Sequence, residues 1–159
     1  MTTIWFEDMP VGRVERYGAK QVEREEVLAF ARQFDPQPFH LDDDAAAANP
    51  LFGRLAASGW HTAAMAMRMT ADHWATNGAR AVLGGAGIED LAWLKPVYPG
   101  DTLRCELEVI DARPSRSKPD RGIVKARMTV FNQHDEPVMR QTSVVMMRRR
   151  LGIDHPSDA

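Results

Sequence analysis

The sequence predicts an α+β protein in which a curved antiparallel sheet wraps around one long central helix. Two patterns carry that expectation. Residues 58–77 form the longest helical candidate, and the first half, residues 60–67, is apolar on nearly every side except at His61 and Thr62. A helix that is apolar all round has to be buried all round. After Gly78 the hydrophobic period falls to two. Leu103, Cys105, Leu107 and Val109 alternate with Arg104, Glu106 and Glu108, and Val124, Ala126, Met128 and Val130 alternate with Lys125, Arg127 and Thr129. A buried helix followed by strands with one wet face is packed most economically by a single sheet curling over it. Such a sheet covers one side only, so a second subunit that extends the sheet is expected, a homodimer or higher homo-oligomer.

The remaining elements follow in order. Residues 5–12 read as an extended arm ending in a turn at Pro10 and Gly12, and residues 16–22 as a short strand. Residues 23–34 predict a helix with Val27, Phe30, Ala31 and Phe34 on one face and Glu23, Glu25 and Glu26 in the first turn, where negative charge complements the helix dipole. Asp42, Asp43 and Asp44 precede a run of alanines, the pattern of a capped helix start rather than a metal site. Residues 86–95 predict a strand closed by Pro96 and by the turn at Pro99-Gly100-Asp101, and residues 138–148 predict the last strand. Gly84-Gly85-Ala86-Gly87 has no following helix, so it reads as a bend or the start of a strand rather than a phosphate loop.

A chain of 159 residues suggests one domain, expected over 1–150, with a polar tail at 151–159. A net charge of −2 with interspersed signs argues against a general nucleic-acid binder. The single cysteine, Cys105, excludes an internal disulfide and fits a reducing compartment; its place in an alternating run makes packing its default role. The N-terminus lacks the basic region and apolar run of a secretion signal, and no stretch is long enough for a membrane span, so a cytoplasmic protein is expected.

Chemistry concentrates in Asp35-Pro36-Gln37-Pro38-Phe39-His40. Each proline disfavours the α region in the residue before it, so the segment should be a stiff, extended loop holding a carboxylate and an imidazole in fixed geometry. Proton transfer on a small substrate requires such a pair. The plainer reading is that Asp35 caps a turn and His40 is an ordinary half-buried histidine. Of the other histidines, His61 reads as a satisfied core residue, and His73, His134 and His155 as exposed.

The same segment resembles the Asp-x-Asn-Pro-x-His signature of the MaoC-like dehydratases and (R)-specific enoyl-CoA hydratases. Phe52-Gly53-Arg54-Leu55-Ala56-Ala57-Ser58-Gly59 is similar to that family's lead into its central helix. Trp93-Leu94-Lys95-Pro96-Val97-Tyr98-Pro99-Gly100-Asp101-Thr102-Leu103 resembles its strand–turn–strand passage. The three segments are collinear across residues 5–150. Three departures stand out: Gln37 where Asn is usual, Phe34 where Gly is common, and Ser58 where His is frequent.

The resemblance implies a hot-dog fold and reversible hydration of a 2-enoyl thioester to a 3-hydroxyacyl thioester. Coenzyme A would enter as part of the substrate, with no separate cofactor and no metal. It implies that Asp35 and His40 hold the reacting water. The oxyanion donor is expected at the backbone N–H of Gly59, where free amides and the positive end of the helix dipole converge, although a tight turn before a helix would also call for glycine. Ser58 either caps the helix or touches substrate. Arg116 and Lys118, in the basic loop 113–121, are candidates for the phosphates of coenzyme A, the alternative being a solvated hairpin tip. The cluster Arg148–Arg150 reads as a solvated strand end. Two other functions are consistent with the resemblance: an acyl-CoA thioesterase, weakened because residues 58–67 hold no carboxylate and Asp72 lies far down the helix, and a non-catalytic acyl-CoA-binding module.

Overall fold

The computed structural model describes residues 2–150. Five strands, β1 (Val14–Gln21), β2 (Val82–Trp93), β3 (Thr102–Pro114), β4 (Arg121–Phe131) and β5 (Pro137–Arg148), form one sheet in the order β1-β3-β4-β5-β2. Every neighbouring pair is antiparallel. Three helices, α1 (Arg24–Phe34), α2 (Asp43–Ala48) and α3 (Gly59–Asn77), lie between β1 and β2 in the chain. The long helix α3 packs on the inner face of the sheet, which gives the hot-dog arrangement.

Alternation in the sequence becomes alternation in burial. On β3, Leu103, Cys105, Leu107 and Val109 are buried; on β4, Val124, Ala126, Met128 and Val130 are. Most of these meet Met65, Ala66 and Met69 of α3 in the main core. Each fully buried Leu, Val or Met contributes roughly 1.5–3 kcal/mol relative to exposure. Close approach of α3 to β1 depends on Gly18, whose φ is +88°; a Cβ there would stand 2.3 Å from Met69 Sδ. The β1–β3 register slips between Tyr17 and Lys20, so this glycine also accommodates a bulge.

Several expectations need correction. The first half of α3 is not covered on every side: His61, Thr62, Met65 and Ala66 are buried, but Trp60 is 57% and Met67 52% exposed. The sheet curls over one side only, and beside the open side runs β2, an edge strand with Ile88 exposed. The glycines at 84, 85 and 87 lie within β2 at register shifts rather than before it, because β5 supplies ladder partners straight through them.

His61 is a core residue stacked on Phe30, with centroids 4.8 Å apart, but it is not satisfied: its Nδ1 is buried without a partner. Burial holds its pKa below the usual imidazole value. His73 is not exposed. It stacks on Tyr17 and its Nε2 lies 2.8 Å from Glu15, a buried carboxylate also held by Arg80 and Arg13. His134 is exposed as expected, while His155 and the tail at 151–159 lie outside the described residues. Asp42 caps α2, accepting from the Ala45 N–H at 2.8 Å. No helix among the described residues is long and apolar enough to cross a membrane.

Candidate active site

Helix α1 ends where its sequence says it should. Asp35 leaves helical geometry (φ −148°, ψ 67°) while its N–H still donates to Ala31 O, and Pro36 offers no donor to continue the ladder. The loop is stiff, but it is not extended throughout. Pro38 occupies the first position of a single 3-10 turn, Pro38–His40, where a missing N–H costs nothing. That turn carries His40 back under the end of α1, where the residue is only 4% exposed.

The ring of His40 is fixed from both sides. Phe39 meets it edge-on at 4.6 Å and Phe52 at 5.5 Å. Its Nδ1 lies 2.8 Å from the carbonyl oxygen of Ala56. A carbonyl only accepts, so Nδ1 carries the proton, and in the neutral ring Nε2 presents a lone pair. That Nε2 lies 3.5 Å from Asp35 Oδ2. Two acceptors at this separation do not bond each other directly; they can share a donor such as water.

Asp35 is held as firmly. Ser58 Oγ donates to its Oδ2 at 2.7 Å, and Gln37 Nε2 donates to its Oδ1 at 2.7 Å. Partial burial pushes the Asp35 pKa up, but the Ser58 and Gln37 hydrogen bonds and the nearby His40 more than offset this, leaving the carboxyl below its usual range. Gln37, the departure from the usual asparagine, therefore reaches the carboxylate with its longer side chain. Of the two roles expected of it, Ser58 takes that of the cap: its Oγ also accepts from the Trp60 N–H at 3.2 Å at the start of α3.

Gly59 opens α3 beside this pair. A Cβ on Gly59 would lie 2.4 Å from Cε2 of Trp93, so the indole at the end of β2 packs directly on the helix start. The Gly59 N–H has no acceptor among the described residues, leaving a free donor at the positive end of a helix dipole. Asp35, Gln37, His40 and Gly59 all line one open cleft of about 470 Å³, walled by Phe39, Phe52, Trp60, Thr62 and Trp93. Trp60 and Trp93 meet edge-on at 5.0 Å. Among the described residues no group of three or more His, Cys, Asp or Glu is placed to hold a metal ion.

Arg116 and Lys118 are not brought to this cleft. They lie exposed on the hairpin between β3 and β4, whereas Trp93 pairs with Met139, Met139 with Val130 and Val130 with Cys105. Nine residues of β3 separate Cys105 from Pro114 at the hairpin, roughly 30 Å at the usual rise per residue. Asp72 is also remote, exposed on α3 and paired with Arg68. The sequence reading missed the Ala56 carbonyl and the part played by Trp93. The first is backbone, invisible to residue type. The second lay in the segment from Trp93 to Leu103, but nothing in that segment says that its aromatic meets a glycine 34 positions earlier.

Known proteins share this fold. A MaoC-like dehydratase from Rhodospirillum rubrum superposes with a TM-score of 0.82 at 43% identity, covering 92% of this chain and 98% of that one. The (R)-hydratase of A. caviae involved in PHA biosynthesis superposes with a TM-score of 0.66 at 26% identity, covering 87% and 97%. A mesaconyl-CoA hydratase from Cereibacter sphaeroides is 42% identical over 64 residues, 40% of this chain but only 18% of that relative. Residues 7–131 match the MaoC like domain, and the chain belongs to that family.

Proposed function

We propose that the protein adds water reversibly to a 2-enoyl thioester of coenzyme A, giving the 3-hydroxyacyl thioester. The observation that carries this reading is the convergence of Asp35 and His40 at 3.5 Å in the cleft that also contains the Gly59 N–H. Membership of the MaoC-like family and similarity to two hydratases, one of them acting on a CoA thioester, support it.

The geometry suits the chemistry. A water seated between Oδ2 of Asp35 and Nε2 of His40 donates one hydrogen to each, which leaves its oxygen lone pairs facing the cleft. The β-carbon of the enoyl group lies against that oxygen. As the C–O bond forms, the Asp35–His40 pair takes the water's proton, and the π electrons move onto the thioester oxygen. The Gly59 N–H faces the developing enolate oxygen, a preorganised donor of the kind worth roughly 2.7–4 kcal/mol. The pair then returns the proton to the α-carbon, so water is added across the double bond with no net consumption of acid or base. Positioned proton transfer of this type contributes typically about 10²–10⁴-fold.

The reading includes a homodimer joined through the free edge of β2. Glycines at 84, 85 and 87 leave that edge unobstructed, and the exposed Ile88, Trp60 and Met67 supply apolar area beside it. The test is incubation with a panel of 2-enoyl- and 3-hydroxyacyl-CoA esters, following enone absorbance and free thiol together. Loss of enone absorbance without thiol release is the expected result. Thiol release would replace hydration with thioester hydrolysis, and binding without either change would make the protein an acyl-CoA-binding module.

A further inference from the structure

We propose that the indole N–H of Trp93 is a second hydrogen-bond donor to the thioester oxygen, completing a two-donor oxyanion site with the Gly59 N–H. The proposal rests on the hydration reading and adds a catalytic residue to the same cleft.

Gly59 has no conformational need to be glycine. Unlike Gly18 or Gly53 it has no positive φ, and it opens α3 in helical geometry. What excludes a side chain is the indole of Trp93: a Cβ would lie 2.4 Å from its Cε2, 2.6 Å from its Nε1 and 2.7 Å from its Cδ2. Packing alone gives no reason for that pairing, since alanine at 59 beneath a smaller apolar residue at 93 would fill the space without pressing a ring onto backbone. What the pairing achieves is the proximity of two nitrogens. Cβ and N of one residue stand about 2.5 Å apart by standard covalent geometry, so Trp93 Nε1 lies within about 5 Å of Gly59 N. An oxygen about 2.9 Å from each nitrogen fits between donors spaced in that way.

Neither N–H meets an acceptor among the described residues, and both residues line the cleft that holds Asp35 and His40. An indole nitrogen only donates, so it suits an oxygen that gains charge. The ring is held in place before substrate arrives. Trp93 pairs with Met139 on β5, the next residue, Leu94, donates its N–H to Val138 O at 2.8 Å, and Trp60 meets the indole edge-on at 5.0 Å. A strand, a helix start and a second aromatic thus fix the donor, with no reorganisation left for the reaction itself. No proton leaves Trp93. As water adds at the β-carbon, the π electrons move to the thioester oxygen, which accepts from both N–H groups. Both hydrogen bonds weaken when the α-carbon is protonated and the carbonyl re-forms.

The experiment removes the N–H and keeps the ring. Benzothienylalanine incorporated in place of Trp93 puts sulfur where the N–H stands, with nearly the same shape; Trp93→Phe keeps a smaller ring. On a 2-enoyl-CoA ester, kcat of the sulfur analogue is expected to fall roughly 10²-fold, the low end for loss of one oxyanion donor. KM should change less than about threefold, because the charge that the donor meets develops only in the transition state. Turnover of the sulfur analogue within about threefold of wild type would overturn the proposal, leaving Trp93 a packing residue or its N–H spent on the Trp60 ring, whatever Trp93→Phe does. A rise in KM with kcat unchanged would overturn it too, since the donor would then act on bound substrate and transition state alike. A second measurement needs no hydration. Acetoacetyl-CoA forms an enolate at the same oxygen, and the pH at which absorbance of the bound enolate appears reads how well that oxygen is stabilised. Sulfur in place of the N–H is expected to raise this midpoint by about one unit, a tenfold loss of enolate; the effect is smaller than the kinetic one because the 3-keto oxygen shares the charge. An equal midpoint in both proteins, or no bound enolate in either, rejects the donor. A shifted midpoint in a protein that hydrates nothing would keep the donor and remove the hydration reading, and normal hydration with an unshifted midpoint would do the reverse.

Discussion

Replacement of Ser58 by alanine removes one atom that does two things. Its hydroxyl donates to Asp35 Oδ2 and accepts from the Trp60 N–H, and the residue is only 1% exposed. A hydrogen bond to a charged group contributes about 1.5–3 kcal/mol, and loss of a serine cap costs typically about 1 kcal/mol. The two share an atom and do not simply add, so the expected loss is about 2–3 kcal/mol at neutral pH. For a chain of this size that corresponds to a fall in Tm of roughly 4–12 °C. The loss also depends on pH. Asp35 has a folded pKa below its ordinary value, so it contributes stability above the unfolded carboxylate pKa, and that contribution is lost as pH falls through the folded value. Ser58→Ala takes away part of the depression, so the gap between variant and wild type is full at neutral pH and narrows as Asp35 protonates in acid. The acid limb of the activity profile moves to higher pH in the same variant. Urea unfolding of both proteins at a series of pH values measures the gap. A cost below about 0.5 kcal/mol, within the range of ordinary surface substitutions, or a gap that does not change between neutral and acid pH, would refute the assignment of Ser58 as a partner of the Asp35 carboxylate.

Gly59→Ala drives a methyl into the Trp93 ring; with overpacking costing typically about 1–3 kcal/mol, thermal unfolding should show that loss, and Trp93→Leu in the same chain should recover part of it. Arg80→Met leaves Glu15, only 8% exposed at its side chain, without its bidentate partner and should cost about 3–5 kcal/mol by urea unfolding. Burial raises the Glu15 pKa, but Arg80, His73 and Arg13 together hold it below the usual value; the Arg80→Met deficit should therefore shrink as pH falls and Glu15 protonates. Cys105, fully buried and with its pKa pushed up to about 12 by desolvation, should resist alkylation at pH 8 in the native protein and react stoichiometrically once unfolded, a difference read by mass spectrometry.

How far the sequence anticipates this molecule differs from element to element. The strands β3 and β4 and the start and stop of α1 follow from local pattern, because alternation, acidic residues in a first helical turn and proline act within a few positions. The arrangement of Asp35 and His40 was legible to the extent that prolines stiffen a loop, but the curl of Pro38–His40 into a 3-10 turn was not. That turn depends on His40 reaching the Ala56 carbonyl, 16 residues away. The burial of His73 was hidden for a related reason: Glu15, Tyr17 and Arg80, which enclose it, come from elements distant in sequence. The open face of α3 shows the limit of periodicity in another way. Trp60 and Met67 declare that something must cover them, and they say nothing about whether the cover belongs to the same chain.

The most direct measurement is the rate of hydration of a 2-enoyl-CoA ester by Asp35→Asn, with His40→Gln in parallel, each checked for native Tm. Asparagine keeps the acceptor for Ser58 but gives up the negative charge, so a drop in kcat of about 10²–10⁴-fold is predicted, the scale of a lost acid–base group. Turnover within a fewfold of wild type in well-folded Asp35→Asn would contradict the account at its centre.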